Sequence, residues 1–378
     1  MGGIYVHIPF CRRKCLYCNF FSVADLRRTE ELADALCREL SLRAATWPDK
    51  RVATVYFGGG TPSLLPAESV GKVLSRIRAL FAVDADAEIT LEANPEDITT
   101  EKLDAWLRAG INRLSLGVQS FQDETLAFMR RRHSGADAVR ALETARRAGF
   151  ANLTLDLIYG VPGRDDRALM RDVETAVGLQ VRHVSAYALT REEGTALDVL
   201  AARGTLPPPD DEMAARQYFL LADRLECAGL YRYEVSNFAA PGCRSRHNSA
   251  YWDGTPYLGI GPSAHSFDGR NERSWNVASI GRYLSGIAGG RIPCERETLS
   301  PIDRRNEMVM TALRTAEGLS GQEFERRFGE AALRALSESA EPFLRRGQLE
   351  WSEGALRVTR AGWFFIDGIA ADLFEVED

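Results

Sequence analysis

Six short runs of β-branched and apolar residues, at 4–8, 52–57, 89–91, 114–116, 153–158 and 184–187, alternate with helical stretches along the first half of the chain. That alternation leaves few architectures open. Repeated strand and helix units build a parallel sheet with right-handed crossovers, closed or partly closed into a barrel. The helices carry their own punctuation. Over 30–45, Leu32, Leu36 and Leu40 recur every four residues behind Thr29, the expected N-cap. A second helix is expected over 101–109, between Thr99-Thr100 and Gly110, and a third ends at Gly149.

The unusual residues follow strand ends. Cys11, Cys15 and Cys18, spaced CxxxCxxC, come after the first run, and Gly58-Gly59-Gly60-Thr61-Pro62 after the second. Glu92-Ala93-Asn94-Pro95 follows the third, Gly117-Val118-Gln119-Ser120 the fourth, and Asp156 begins the stretch to Gly163 that closes the fifth. In an α/β barrel the carboxyl ends of the strands share one face, so these five stretches are expected to line a single cavity. Three thiolates are one fewer than a closed metal site uses. They fit either a 4Fe-4S cluster with one open iron or a structural zinc loop completed by His7. Glycines at a strand end serve a tight turn, or let backbone amides approach a ligand closely.

A chain of 378 residues is long enough for two or three domains, and 45% hydrophobic with 26% charged residues is an ordinary globular balance. The net charge of -6 argues against a general polyanion binder, although Arg12, Arg13 and Lys14 put local positive charge in the cysteine loop. The chain has no secretion-signal order and no apolar run near the ~20 residues that span a bilayer. A cytoplasmic protein is expected, with peripheral membrane contact left open. Seven cysteines in a reducing compartment argue against disulfides, and Cys37, Cys227 and Cys294 read as buried or partly buried thiols. His133 and His183 have no partner pattern and read as structural or solvent-facing, while His265 after a glycine-rich turn is a candidate for the cavity mouth.

CxxxCxxC after a first strand, flanked by YVHIPFC and CNFFS, resembles the radical S-adenosylmethionine (SAM) superfamily. Within it, the flanks resemble the proteins related to oxygen-independent coproporphyrinogen III oxidase, and among these the heme chaperone branch. The resemblance implies a partial (β/α)6 barrel with a 4Fe-4S cluster on Cys11, Cys15 and Cys18 and SAM beside it. It assigns Gly59, Gly60 and Thr61 to SAM's amino group, Glu92, Gln119 and Asp156 to its ribose and cationic end, and Arg131 to its carboxylate. Arg130 and Arg132 flank Arg131 and leave the register of that last assignment open. Tyr5 and Tyr17 would help position the cofactor. The implied chemistry is transfer of one electron from the cluster to the sulfonium, giving methionine and a 5′-deoxyadenosyl radical, within the reach of Fe-S potentials that extend to about -700 mV.

Two functions of that family separate at particular positions. The oxidase pattern is CxxxCxxCxC, and Phe20 stands where its last cysteine would be. The oxidase also has an N-terminal extension, expected to be absent here. His247-Asn248-Ser249-Ala250-Tyr251-Trp252 reads HNxxYW, a pattern of the chaperone branch associated with heme binding. His247 is thus the heme-ligand candidate, with Tyr251 and Trp252 as flat surfaces for a porphyrin and Cys243 as a further thiol nearby. The resemblance implies a heme chaperone with an acceptor hemoprotein and a reducing electron donor as partners. The alternative is radical decarboxylation of coproporphyrinogen III, and no catalytic residue is assigned for it.

Pro207-Pro208-Pro209 breaks the alternation, a helix follows over 212–228, and 231–238 then extends the core. After a second break at 293–301, helices are expected at 303–315, 321–328 and 330–345, a hairpin at 349–358 and a last helix at 361–374. This pattern resembles a winged-helix-like module. Its arginines, Arg326, Arg327, Arg345 and Arg346, are balanced by Glu323, Glu325, Glu330 and Glu341, which favours a lid or partner-docking role over nucleic-acid binding. The expected division is a barrel core at 1–235, an extension carrying HNxxYW at 236–300 and the C-terminal module at 301–378.

Overall fold

The computed structural model describes residues 2–47, 50–206 and 210–376, so the triple proline lies outside the described residues. The six expected strands are present as β1 Gly2–Ile8, β2 Arg51–Gly59, β3 Ala82–Ala93, β4 Arg113–Gln119, β5 Asn152–Tyr159 and β6 His183–Ala188. They lie side by side in sequence order and every pair is parallel. Both faces of such strands are covered, so they read as near-continuous apolar runs. Val6, Ile8, Val55, Phe57, Leu91, Leu114, Leu116, Leu155 and Leu157 are each fully buried, and each contributes roughly 1.5–3 kcal/mol of burial free energy.

Beyond β6 the sheet continues through β7 Tyr231–Arg232 and β8 Asn237–Ala239, in the order β6-β8-β7. On the other side β9 Tyr257–Ile260 pairs parallel to β1, and β10 His265–Phe267, β11 Glu272–Asn276 and β12 Cys294–Thr298 follow antiparallel. Residues of the expected extension therefore supply β8 on one side of the barrel sheet and β9 to β12 on the other.

Local signals place most helix ends. Thr99 caps the helix Thr100–Ala109 by accepting from the Lys102 amide, and Gly110 ends it in the left-handed region at φ 97°. Ser134 and Asp137 form a reciprocal capping box for Gly135–Ala148, which stops at Gly149. The first helix departs from expectation. It runs Thr29–Thr46, so Thr29 is inside it; Arg28 is the preceding residue and makes no side-chain cap. Leu32, Leu36 and Leu40 do face the core.

That helix is pinned to the β9–β11 edge by a buried carboxylate. Glu39 is fully buried and accepts from the Tyr283 hydroxyl at 2.6 Å, the Asn276 amide at 2.7 Å, the Gly261 amide at 2.8 Å and Arg43 at 3.3 Å. A buried charge is tolerated when it is paired and fully hydrogen-bonded, as here.

The C-terminal module has a separate core in which Val309, Leu313, Phe324, Leu336, Leu356 and Ile369 meet. Its helices Pro301–Leu313, Gly321–Phe328 and Glu330–Arg345 surround a three-stranded sheet of Leu319–Ser320, Ala355–Val358 and Leu349–Ser352. The last expected helix is split into a 3-10 segment, Arg360–Phe365, and a helix, Ile366–Asp372. Surface charges are largely spent within the module, Glu323 on Arg326 and Arg327, and Glu341 on Arg345. It docks on the barrel by Arg232 lying 4.1 Å over the Trp363 ring, by Arg360 with Asp223 at 2.6 Å and by the Ala316 amide bonding the Tyr233 carbonyl. All seven cysteines are free, and Cys227, expected to be at least partly buried, is exposed at the end of the helix Asp211–Cys227.

Candidate functional site

The carboxyl ends of β1 to β6 open into one cavity of about 840 Å³. Cys11, Cys15, Cys18, Tyr5, Tyr17, Gly59, Gly60, Thr61, Glu92, Gln119, Arg131, Asp156 and His247 all line it. Strand polarity is the reason. Segments distant in sequence converge because each leaves its strand at the same end.

The three sulfurs share one wall. Thr61 Oγ1 donates to Cys11 Sγ at 3.6 Å, and Arg131 Nη1 to Cys15 Sγ at 3.4 Å. Burial pushes the Cys11 thiol up, against hydrogen bonds from Thr61 and Ser22, and burial does the same at Cys18. His7 is not a fourth ligand. Its Nδ1 meets the Tyr5 hydroxyl at 3.2 Å, its Nε2 the Phe21 carbonyl at 3.1 Å, and burial lowers its pKa to about 4. Among the described residues no three His, Cys, Asp or Glu side chains gather tightly enough to hold a single metal ion. Three thiols lining one cavity, with a guanidinium donating to one of them and no histidine among the described residues to complete the set, fit an iron-sulfur cluster that leaves one iron open.

Asp97, which carried no signal in sequence, latches the loops. It is buried, accepts from Ser63 Oγ at 2.9 Å and from Arg12 at 3.3 Å, and so joins the loop after β2 to the cysteine loop. Lys102 adds a bond to the Ser63 carbonyl at 2.8 Å.

The glycine run has a packing reason of its own. A Cβ on Gly59, whose φ is 107°, would stand 2.6 Å from the His7 ring, and one on Gly60 would stand 2.7 Å from the Phe10 carbonyl oxygen. The run thus lets β2 close onto β1 and leaves Gly59 and Gly60 backbone on the cavity surface.

Adjoining the thiols is a polar floor. Arg131 donates from Nη2 to Asn94 Oδ1 and to the Gly117 carbonyl, each at 2.6 Å, while its buried Nε has no partner. Burial opposes its charge, but Tyr17 and Cys15 hold it protonated. Gln119 lies beyond an irregularity in the β4–β5 register and takes a φ of 68°. Glu92 accepts from the Tyr56 hydroxyl at 2.7 Å, and burial, aided by Asp156, pushes its pKa up to about 7. Burial raises Asp156 to about 6, against hydrogen bonds from Ser185 and Ser115. Two buried carboxyls with raised pKa values, which a cationic group would help to ionise, and a guanidinium with an unpartnered Nε form a floor suited to a ligand that carries both charges.

The HNxxYW segment forms the helix Arg246–Trp252, anchored by Glu88, which accepts from the His247 amide at 3.0 Å. His247 is buried at 2% exposure; its Nδ1 lies 2.8 Å from Thr54 Oγ1 and its Nε2 3.0 Å from the Tyr251 hydroxyl. Burial depresses its pKa to about 3. Cys243 does not line the cavity, nor does His265, which is exposed and stacks on Trp275. His133 and His183 are buried, held by the Val118 carbonyl and the Tyr233 hydroxyl respectively.

A parallel half-barrel whose first loop carries three cysteines beside a polar floor at the strand ends is the architecture of the radical SAM class. The Radical SAM superfamily signature matches residues 5–176, and the HemN C-terminal domain matches 299–365. Coproporphyrinogen III oxidase (HemN) from Escherichia coli superposes with a TM-score of 0.85 over 98% of this chain and 89% of that one, at 24% identity, a likeness of fold. The chain is 40% identical to the heme chaperone HemW of Mycobacterium tuberculosis over 98% of its own length and 94% of that relative. It is 33% identical to the heme chaperone HemW of Bacillus subtilis, with 96% of both chains covered. The chain belongs to the radical SAM superfamily and, within it, to the family of these HemW proteins.

Proposed function

We propose that this protein is a heme chaperone that carries a 4Fe-4S cluster on Cys11, Cys15 and Cys18, binds SAM beside it and hands heme to an acceptor hemoprotein. One observation carries the reading: the three cysteines, the polar floor and His247, Asn248 and Tyr251 of HNxxYW line the same cavity. The full-length similarity to relatives named heme chaperone supports it. So does Phe20 at the position of the oxidase's last cysteine.

When bound, the cluster supplies one low-potential electron to the sulfonium of SAM. The chain's own residues do the holding. Arg131 takes the methionine carboxylate through its unpartnered Nε, a charge-assisted hydrogen bond. Glu92, Asp156 and Gln119 face the cationic end and the ribose, and Gly59, Gly60 and Thr61 take the amino group. Tyr17 covers the cofactor on the cysteine side, and Tyr5 backs the floor through Tyr56, with ring centroids 6.1 Å apart. For His247 to reach a heme iron, Nε2 has to exchange the Tyr251 hydroxyl for the metal, and that exchange is part of the proposal.

A reducing donor is needed to charge the cluster. Arg13 and Lys14 on the exposed cysteine loop offer it a basic landing face. No helix among the described residues is long and apolar enough to cross a membrane.

Titration of the anaerobically reconstituted protein with heme, followed by mixing with an apo-hemoprotein, tests the function. Saturable binding and appearance of the acceptor's holo spectrum are expected. No saturable binding, or decarboxylation of coproporphyrinogen III in the presence of SAM, would overturn it.

A further inference from the structure

Beside the polar floor, the cavity has an aromatic wall that the proposed SAM contacts leave unused. Tyr187 and Tyr218 come from the barrel, and Trp363 and Phe364 from the C-terminal module. Phe364 lies 6.3 Å from Tyr218, and Tyr187 is 42% exposed. Such a surface suits a flat apolar ligand. Set beside it is a cation, Arg314, which also lines the cavity.

Three features single out Arg314. Its guanidinium lies 5.3 Å over the ring of Trp252, the last residue of HNxxYW, so the motif and the C-terminal module meet at this side chain. Its buried Nε has no hydrogen-bond partner. Its Nη1 is paired with Asp367, whose own side chain is 73% exposed. An ion pair with so exposed a carboxylate is worth little and exchanges readily. The other nearby acid, Glu234, is engaged by the Ser236 amide and the Asn237 side chain. A guanidinium with a free Nε, a displaceable partner and an aromatic wall beside it is arranged to receive a second carboxylate.

We propose that Arg314 recognises a propionate of the heme: the macrocycle lies against Tyr187 and Phe364, and the propionate replaces Asp367 on the guanidinium fork. This rests on the heme-chaperone reading above. It adds a recognition residue outside both the cysteine loop and HNxxYW, and it gives the C-terminal module a part in choosing the ligand.

The test compares heme with heme dimethyl ester, which keeps the ring and loses the carboxylates, on the reconstituted full-length protein. The wild type should prefer heme by about tenfold or more, the worth of one charge-assisted hydrogen bond. Arg314→Gln should abolish that preference while leaving the ester's affinity within about twofold. Asp367→Asn, at an exposed position where folding is not at stake, should tighten heme several-fold and leave the ester unchanged. An undiminished preference in Arg314→Gln, equal losses for both ligands, or no gain for heme in Asp367→Asn would overturn the assignment. If the wild type binds neither ligand, the chaperone reading itself falls; if it binds both and the variants do not discriminate, only the role of Arg314 falls.

Discussion

The imidazole of His247 stacks on the ring of Tyr56, with centroids 5.0 Å apart and planes 22° from parallel. Tyr56 in turn donates its hydroxyl to Glu92. The helix Arg246–Trp252, far along the chain, thus bears on the cavity floor through one ring. A shift of His247 is thereby felt at the Glu92 carboxyl.

Removing that ring should cost the fold as well as the ligand. His247→Ala empties a buried site and strips partners from the Thr54 and Tyr251 hydroxyls, a loss of about 2–4 kcal/mol. Urea unfolding of the protein without cofactors checks it. A midpoint unchanged from wild type would show that the ring is not packed as described.

The floor carboxyls give the stability a pH dependence. Glu92 and Asp156 keep their protons to about pH 7 and 6, above their ordinary values of 4.5 and 3.8, chiefly through burial. Between about pH 4 and 7 the folded state therefore binds more protons than the unfolded chain, and stability falls as pH rises through that window. Below it both states are protonated, and above it both are ionised. Glu92 alone accounts for roughly 3 kcal/mol of the fall. Comparing urea midpoints at pH 4.5 and 7.5, Glu92→Gln should flatten the difference; a difference equal to that of the wild type refutes the assignment. A cationic ligand favours the ionised floor, so SAM affinity is expected to rise across the same window.

Arg131→Gln should weaken SAM about 10- to 100-fold, as loss of a charge-assisted hydrogen bond does, while iron content stays at the wild-type level. Equilibrium dialysis against labelled SAM measures it. Undiminished affinity would assign the carboxylate to another cation, Arg130 or Arg132.

Glu39 makes a prediction unrelated to any ligand. Replacing it with alanine leaves Arg43 buried without its ion pair and three further donors unmatched, a cost of about 3–5 kcal/mol. Calorimetric melting reads this directly. A change below about 1 kcal/mol would mean that the network relaxes around the gap.

What was legible in the sequence followed local pattern. The strands announced themselves as apolar runs, Thr99 and Gly110 as helix ends, and the strand-end residues as one cavity because chain polarity puts them there. What escaped depends on contacts between residues far apart. Glu39 looked like one more helical glutamate, and only Asn276 and Tyr283, more than 230 positions later, make it a buried anchor. Asp97 gained its importance only from Ser63 and Arg12. The split of the last helix and the aromatic wall arise where the C-terminal module meets the barrel, and no periodicity encodes that meeting. Thr29 misled because a good capping residue type stood one position inside the helix start.

The most direct measurement is the EPR spectrum of the anaerobically reconstituted and reduced protein, recorded before and after SAM is added. The account predicts the signal of a reduced 4Fe-4S cluster that changes on SAM addition, with the signal lost in Cys15→Ala and the change lost in Arg131→Gln. A protein that takes up zinc in place of the cluster, or a cluster signal indifferent to SAM, would contradict it.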